Sequence, residues 1–108
     1  AGTMGAGLTW LFSNQNIPVR MKDINWEALT KGYGSINEIY KKLVKIRKMK
    51  PNEANLKFHR VSGTTDYTGF NHADIVIEAA TENLDLKHRI FADLEAVCKP
   101  DAVIATNT

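Results

Sequence analysis

The stretch AGTMGAG, residues 1–7, places glycines at positions 2 and 5 directly before a segment with helical periodicity. Gly2 and Gly5 have the spacing of the last two glycines in Gly-x-Gly-x-x-Gly, the turn that opens a helix beneath a dinucleotide pyrophosphate. One glycine lets the backbone approach the phosphates, and the other lets the helix pack closely on a strand. The first glycine of the pattern would precede Ala1, so we expect the chain to begin inside this fingerprint.

Asp23 supplies the second part of the pattern. It follows Gly2 by 21 residues and ends the apolar run IPVRMKD, residues 17–23. A carboxylate at the end of that strand can accept hydrogen bonds from an adenosine ribose, and it repels a 2′-phosphate. The two signals together predict NAD rather than NADP as the ligand. By themselves, the glycines are equally consistent with a flexible terminal stub or with close helix packing.

The rest of the sequence alternates between helical and β patterns. Apolar residues at helical spacing predict three long helices, Pro51 begins a fourth, short helix, and short apolar runs predict strands between them. The strand DIVIEA is nearly continuous in apolar residues, which is typical of a strand buried on both faces of a parallel sheet. The first predicted elements are a helix over 3–14, a strand over 17–22, a helix capped by Asn25 and running to Lys48, and a helix from Pro51 to His59. They are followed by a strand over 60–65, a loop over 66–72, a strand over 74–79, a helix over 84–98 and a last strand near the end. The apolar face of the first helix consists of Met4, Leu8, Leu11 and Phe12, and that of the last helix of Leu86, Ile90, Leu94 and Val97.

This order predicts an α/β fold, a Rossmann-type doubly wound parallel sheet in a single partial domain over 1–108. The helices around Pro51 form a hairpin insertion. Because the fingerprint is cut, we expect the first, central strand to be missing, which leaves two unpaired interior edges.

Composition excludes several classes of function. The net charge is +2, which favours neither nucleic acid nor a membrane surface, and no apolar run is long enough to span a bilayer. The single cysteine, Cys98, precludes an internal disulfide or a cysteine-based metal cluster. Six basic residues lie within 41–50; we interpret them as a solvated helix face, with a phosphate contact as the functional alternative.

Polar residues follow three of the predicted strands and should share one rim of the sheet. They are Asp23, the segment Thr81–Glu82–Asn83, and Asn107 with Thr108. Ligands of doubly wound sheets bind at the carboxyl ends of the strands. Asn83 is better explained as the cap of the next helix than as a ligand contact.

Five segments together resemble the NAD-binding domain of L-3-hydroxyacyl-CoA dehydrogenases, and in particular the bacterial multifunctional fatty acid oxidation complex alpha subunit. These segments are AGTMGAG, PVRMKDIN, SGTTDYTGF, DIVIEAATENLDLK and IATNT, and the likeness covers essentially the whole chain. The resemblance implies an enzyme that oxidises the 3-hydroxyl of an acyl-CoA to the 3-oxo form in β-oxidation, with NAD as cofactor.

The resemblance also implies roles for individual residues. Gly2, Met4 and Gly5 would line the pyrophosphate and Asp23 would bind the ribose. Ala80, Thr81 and Glu82 would border the nicotinamide half, with Lys87 nearby. Asn107, which begins the family's Asn-Thr-Ser run, would also belong to the cofactor site. The basic run at 45–48 would help to hold CoA on the hairpin. The family's catalytic His and Glu would lie downstream, so none of His59, His72 and His88 is assigned to catalysis and the isolated chain is expected to be inactive.

Further expectations follow from the same resemblance. The parent protein would bind acyl-CoA, would be oligomeric, with a thiolase subunit as a candidate partner, and would act in the bacterial cytoplasm; it would bind no nucleic acid or metal. Two alternatives stay open at this point: a nucleotide-binding module of another Rossmann dehydrogenase, such as a 6-phosphogluconate or UDP-sugar type, or a structural fragment that binds no cofactor. The sequence ATENLDLK argues against the first of these.

Overall fold

The computed structural model describes residues 2–79 and 83–106, with side chains from Met4 onward. Two compact units divide the chain, one up to Asp66 and the other from Tyr67. The described strands form two separate parallel pairs, one in each unit. Helices alternate with these parallel strands, which confirms the mixed α/β, Rossmann-like class. The prediction of a single domain stays a prediction.

The first unit contains three helices and two strands, in the order α1 (Gly2–Asn14), β1 (Val19–Lys22), α2 (Trp26–Lys45), α3 (Pro51–Phe58) and β2 (Val61–Thr64). In the β1–β2 pair, Val19 lies opposite Val61 and Lys22 opposite Thr64. The core lies where α1, α2 and α3 cover this sheet, and its buried residues are Ala6, Met21, Leu29, Ile36, Tyr40, Ala54 and Val61.

Local signals explain where the helices of this unit begin and end. The Asn25 side chain accepts a hydrogen bond from the Ala28 backbone N–H at 2.8 Å, so the predicted cap of α2 is confirmed. Pro51 occupies the first turn of α3, where its missing N–H costs nothing. The helix α2 ends at Lys45 rather than at Lys48, because Arg47 adopts a left-handed backbone conformation with φ of 60°.

The buried face of α1 differs from the predicted one. Met4 and Leu11 are 56% and 48% exposed, whereas the small residues Ala6, Thr9 and Ser13 are buried. Hydroxyl groups can be buried here because Thr9 Oγ1 donates to the Gly5 carbonyl at 2.8 Å and Ser13 Oγ donates to the Trp10 carbonyl at 3.1 Å. Small side chains allow α1 to approach α2 closely, so volume rather than hydrophobicity determines which face is inward.

The second unit contains β3 (Ile75–Glu78), α4 (Leu84–Val97) and β4 (Val103–Thr106). A single 3₁₀ turn, Phe70–His72, precedes β3 within a segment predicted as loop, and it follows Gly69, whose φ of 90° favours glycine. The buried cluster of this unit is small and consists of Phe70, Val76 and Leu94, with Ile90 and Val97 packed against it.

Two predictions about burial in the second unit are wrong. The β3 strand is not buried on both faces, because Ile75 is 57% exposed while Val76 is buried, and on β4 Val103 is 58% exposed. Leu86 on α4 is 42% exposed instead of inward. In this two-stranded sheet burial alternates along β3, so a continuous apolar run does not imply two covered faces.

Candidate cofactor site

The carboxyl end of β1 places Asp23 beside the end of β2. The Asp23 backbone N–H donates to the Thr64 carbonyl at 3.3 Å, which extends the β1–β2 ladder by one bond. The Asp23 carboxylate accepts the Ile24 backbone N–H at 2.8 Å, and this bond holds the side chain against the turn into α2. Asp23 therefore lies at the strand end where the sequence predicted a ribose-binding carboxylate.

The β2 strand adds a second polar group at the same edge. Thr64 is buried, and its hydroxyl donates to the Asp66 carboxylate at 2.6 Å while it accepts the Asp66 backbone N–H at 3.2 Å. This local pair closes the end of β2. Asp23 and Asp66 are therefore two acidic residues that follow the ends of the neighbouring parallel strands β1 and β2.

The glycine-rich start of the chain is helical from Gly2 onward, so it is the beginning of α1 and not a coil. Gly5 is half-buried and Met4 is exposed. The helix also contacts β1, the strand that leads to Asp23. A helix that carries Gly2 and Gly5 and packs on β1 is compatible with the pyrophosphate prediction.

In the second unit, the carboxyl ends of β3 and β4 converge on a buried carboxylate. The Glu78 side chain is 2% exposed. Its Oε1 accepts a hydrogen bond from Thr106 Oγ1 at 2.9 Å and lies 3.8 Å from the Lys87 Nζ. The Lys87 side chain is 15% exposed, so this ion pair is largely withdrawn from water. The ion pair with Glu78 thus connects Lys87, which is predicted to lie near the nicotinamide, to the end of β3.

Asn83 behaves as the sequence predicted. Its side-chain oxygen accepts the Leu86 backbone N–H at 3.0 Å, and Asn83 is the N-cap of α4. Ala80, Thr81, Glu82 and Asn107, also predicted to line the cofactor, lie outside the described residues. Of the nine predicted site residues, the structure therefore describes Gly2, Met4, Gly5, Asp23 and Lys87, the first four in one unit and the last in the other.

Other candidate groups lie at the surface. His59, His72 and His88 are exposed, and His59 Nδ1 is engaged with the Asn55 carbonyl at 2.7 Å. In the part of the chain that the structure describes, no group of three or more His, Cys, Asp or Glu residues is arranged to hold a metal ion. Within the same residues, no helix has the length and apolar character to cross a membrane.

Comparison with known proteins identifies the kind of domain that carries this geometry. The family described as "3-hydroxyacyl-CoA dehydrogenase, NAD binding domain" matches residues 1–108, the whole chain. The chain belongs to this family. The match to this family decides against the alternative of a 6-phosphogluconate or UDP-sugar dehydrogenase module.

Two individual relatives are named as fatty acid oxidation proteins. The chain is 41% identical over 107 residues to "Peroxisomal fatty acid beta-oxidation multifunctional protein AIM1" of Arabidopsis thaliana, and 36% identical over 108 residues to "Fatty acid oxidation complex subunit alpha" of a Psychrobacter strain. These matches cover 99% and 100% of the chain but only 15% of each relative. The chain thus spans about a seventh of the length of these curated relatives.

Solved structures of the family show the same fold. The (S)-3-hydroxybutyryl-CoA dehydrogenase PaaH1 of Ralstonia eutropha matches with a TM-score of 0.95 and 34% identity, covering 99% of this chain and 38% of that one. The 3-hydroxybutyryl-CoA dehydrogenase of Escherichia coli matches with a TM-score of 0.94 and 36% identity, covering 99% of this chain and 23% of that one.

The described residues fit the NAD that the family name implies. Asp23 offers a carboxylate at the strand end where the sequence predicts a ribose, and the first turn of α1 has the backbone N–H groups that the pyrophosphate prediction requires. Glu78 is not identified as a site residue from the sequence alone, because it lies inside the predicted strand DIVIEA. The signal was available, since an acidic residue inside an otherwise apolar strand requires a partner when buried.

Proposed function

We propose that this chain is the NAD-binding part of an enzyme that oxidises L-3-hydroxyacyl-CoA to 3-oxoacyl-CoA in fatty acid β-oxidation. The observation that carries the proposal is Asp23 at the carboxyl end of β1, in a chain whose family is the NAD-binding domain of these dehydrogenases. NAD, when bound, takes the hydride from the substrate's hydroxyl-bearing carbon. The residues of this chain hold and orient that cofactor.

Each predicted contact has a distinct task. The Asp23 carboxylate accepts hydrogen bonds from the adenosine ribose, and its charge disfavours the 2′-phosphate of NADP. Gly2, Met4 and Gly5 present the start of α1 to the pyrophosphate. By resemblance to the family, Ala80, Thr81 and Glu82 would border the nicotinamide half, with Lys87 nearby, and Asn107 would also belong to the cofactor site.

The proposal extends to the whole protein of which such a domain is part. An acyl-CoA substrate is supported by the printed names of the relatives, which are fatty acid oxidation proteins and 3-hydroxybutyryl-CoA dehydrogenases. Exposed basic side chains at 45–48 supply charge for the CoA phosphates. We also propose that the whole protein is oligomeric, with a thiolase subunit as a candidate partner. The bacterial relatives support a cytoplasmic location, and the Arabidopsis relative is named as peroxisomal.

A fluorescence titration of this chain with NADH and with NADPH tests the cofactor assignment. We expect saturable NADH binding and much weaker NADPH binding. Asp23→Ala should weaken NADH binding about ten- to a hundredfold, since hydrogen bonds to a charged group contribute about 1.5 to 3 kcal/mol. The same change should reduce the ratio of NADH affinity to NADPH affinity. Glu53→Gln, which removes an exposed carboxylate from α3, should change neither affinity.

Two outcomes would contradict the proposal. An unchanged NADH to NADPH ratio in Asp23→Ala would exclude the ribose assignment. The absence of saturable NADH binding by the unmodified chain would favour the remaining alternative, a structural fragment that binds no cofactor.

A further inference from the structure

Glu78 is the one buried acidic side chain among the residues that the structure describes. It closes β3, directly before the segment predicted to border the nicotinamide. A carboxylate removed from water is costly unless charged and hydrogen-bonding partners surround it. Lys87 Nζ at 3.8 Å and Thr106 Oγ1 at 2.9 Å supply such partners from α4 and β4.

This ion pair differs in kind from an exposed pair in the same chain. Lys31 and Glu27 are 4.0 Å apart on α2, with side chains 80% and 81% exposed. Exposed pairs of this type restrain their side chains weakly, because water and salt compete for both charges. The Glu78 side chain is instead 2% exposed, so water and salt have little access to its charge and compete little with the Lys87 ammonium for it.

We propose that Glu78 is a positioning residue for the cofactor site: it fixes the Lys87 ammonium at the carboxyl edge of the β3–β4 sheet, where Lys87 contacts the bound NAD. This inference rests on the proposed function for the contact with NAD. A lysine has a flexible four-carbon stem, so it gives a defined contact only when its ammonium is held. Glu78 supplies that restraint from a strand, the more rigid kind of support for a site.

Trace labelling of lysines with acetic anhydride, read by peptide mass spectrometry without cofactor, tests the restraint. In the unmodified chain Lys87 should label at least about threefold more slowly than Lys31, because a buried ion pair withholds its amine. Glu78→Gln should remove most of this difference. Glu27→Gln is the matched control, and it should change Lys31 labelling by less than about twofold.

Equal labelling of Lys87 and Lys31 in the unmodified chain would overturn the proposal, and this comparison needs no variant to fold. Unchanged Lys87 labelling in Glu78→Gln, with a circular dichroism spectrum like that of the unmodified chain, would overturn it as well.

A double-mutant cycle on NADH affinity tests the role of the restraint at the site. Glu78→Gln should weaken NADH binding about fivefold when Lys87 is present, and less than about twofold in a Lys87→Met background, because the effect passes through the lysine. Equal weakening in both backgrounds would overturn the proposal. If the unmodified chain does not bind NADH saturably, the proposed function and the contact between Lys87 and NAD are both overturned. The ratio of Lys87 to Lys31 labelling would still decide whether Glu78 holds Lys87.

Discussion

At the scale of single residues, one buried hydrogen bond joins α1 to α2. The Ser13 hydroxyl lies 2.6 Å from the Tyr40 hydroxyl, and both residues are buried. Burial raises the pKa of Tyr40 above its ordinary value of 10.0, and the hydrogen bond with Ser13 acts in the opposite direction but is the smaller effect. Ser13 thus satisfies a polar atom that would otherwise be buried without a hydrogen-bond partner.

We expect Ser13→Ala to lower the free energy of unfolding by about 1 to 3 kcal/mol, because it leaves the Tyr40 hydroxyl buried without its partner. Tyr40→Phe should cost less, about 1 kcal/mol, since Ser13 still donates to the Trp10 carbonyl. The double variant should cost less than the two single changes together. Urea unfolding of the four proteins measures this coupling, and strictly additive losses would show that the two hydroxyls do not depend on each other.

At the scale of elements, the sequence was sufficient for the order of helices and strands and for the caps. Asn25, Pro51 and Asn83 act through bonds to residues a few positions away, so their neighbours in the sequence predict them. The buried faces were harder to predict. Which side of α1 is inward depends on the distance to α2, a tertiary property that a count of apolar residues does not contain.

Two glycines illustrate how an element's surroundings decide the effect of a substitution. Gly34 lies inside α2, and apart from its chain neighbours and the backbone of its own helix nothing lies within 4 Å of an added Cβ. Gly34→Ala should therefore raise the free energy of unfolding by up to about 1 kcal/mol through helix propensity. A Cβ on Gly63 of β2 would lie 2.8 Å from the Tyr33 hydroxyl and 3.2 Å from Leu29 Cδ2. Gly63→Ala should therefore cost about 1 to 3 kcal/mol.

Thermal unfolding followed by circular dichroism compares the two variants. The Tyr33→Phe change, made in the Gly63→Ala background, removes the nearest clashing atom and should recover part of the loss. A gain in stability for Gly63→Ala would mean that Tyr33 moves aside without cost, and a loss for Gly34→Ala would contradict the open surroundings of that position.

At the scale of the whole molecule, the fold class and the NAD-binding family were predictable because they depend on the order of local patterns and on motifs. The partners of individual site residues were not. Glu78 and Lys87 are nine positions apart in the sequence, and Thr106 lies farther along the chain; only the pairing of β3 with β4 and the placement of α4 bring the three together. Asp23 was predictable since its position at a strand end follows from the sequence alone.

The two buried clusters predict unequal stability along the chain. Among the residues that the structure describes, the first unit buries seven core residues and the second buries three, so the second should open at lower free energy and exchange its amide hydrogens faster. Leu94→Ala, which costs about 2 to 5 kcal/mol at a well-packed site, should raise exchange in β3, α4 and β4 while β1, α2 and β2 keep their protection. Ile36→Ala is the matched change in the first unit and should affect β1, α2 and β2 most. Hydrogen exchange read by mass spectrometry distinguishes these patterns. An equal rise of exchange in all strands for both variants would mean that the two clusters unfold as one cooperative unit. In that case the small core of the second unit would not determine its stability.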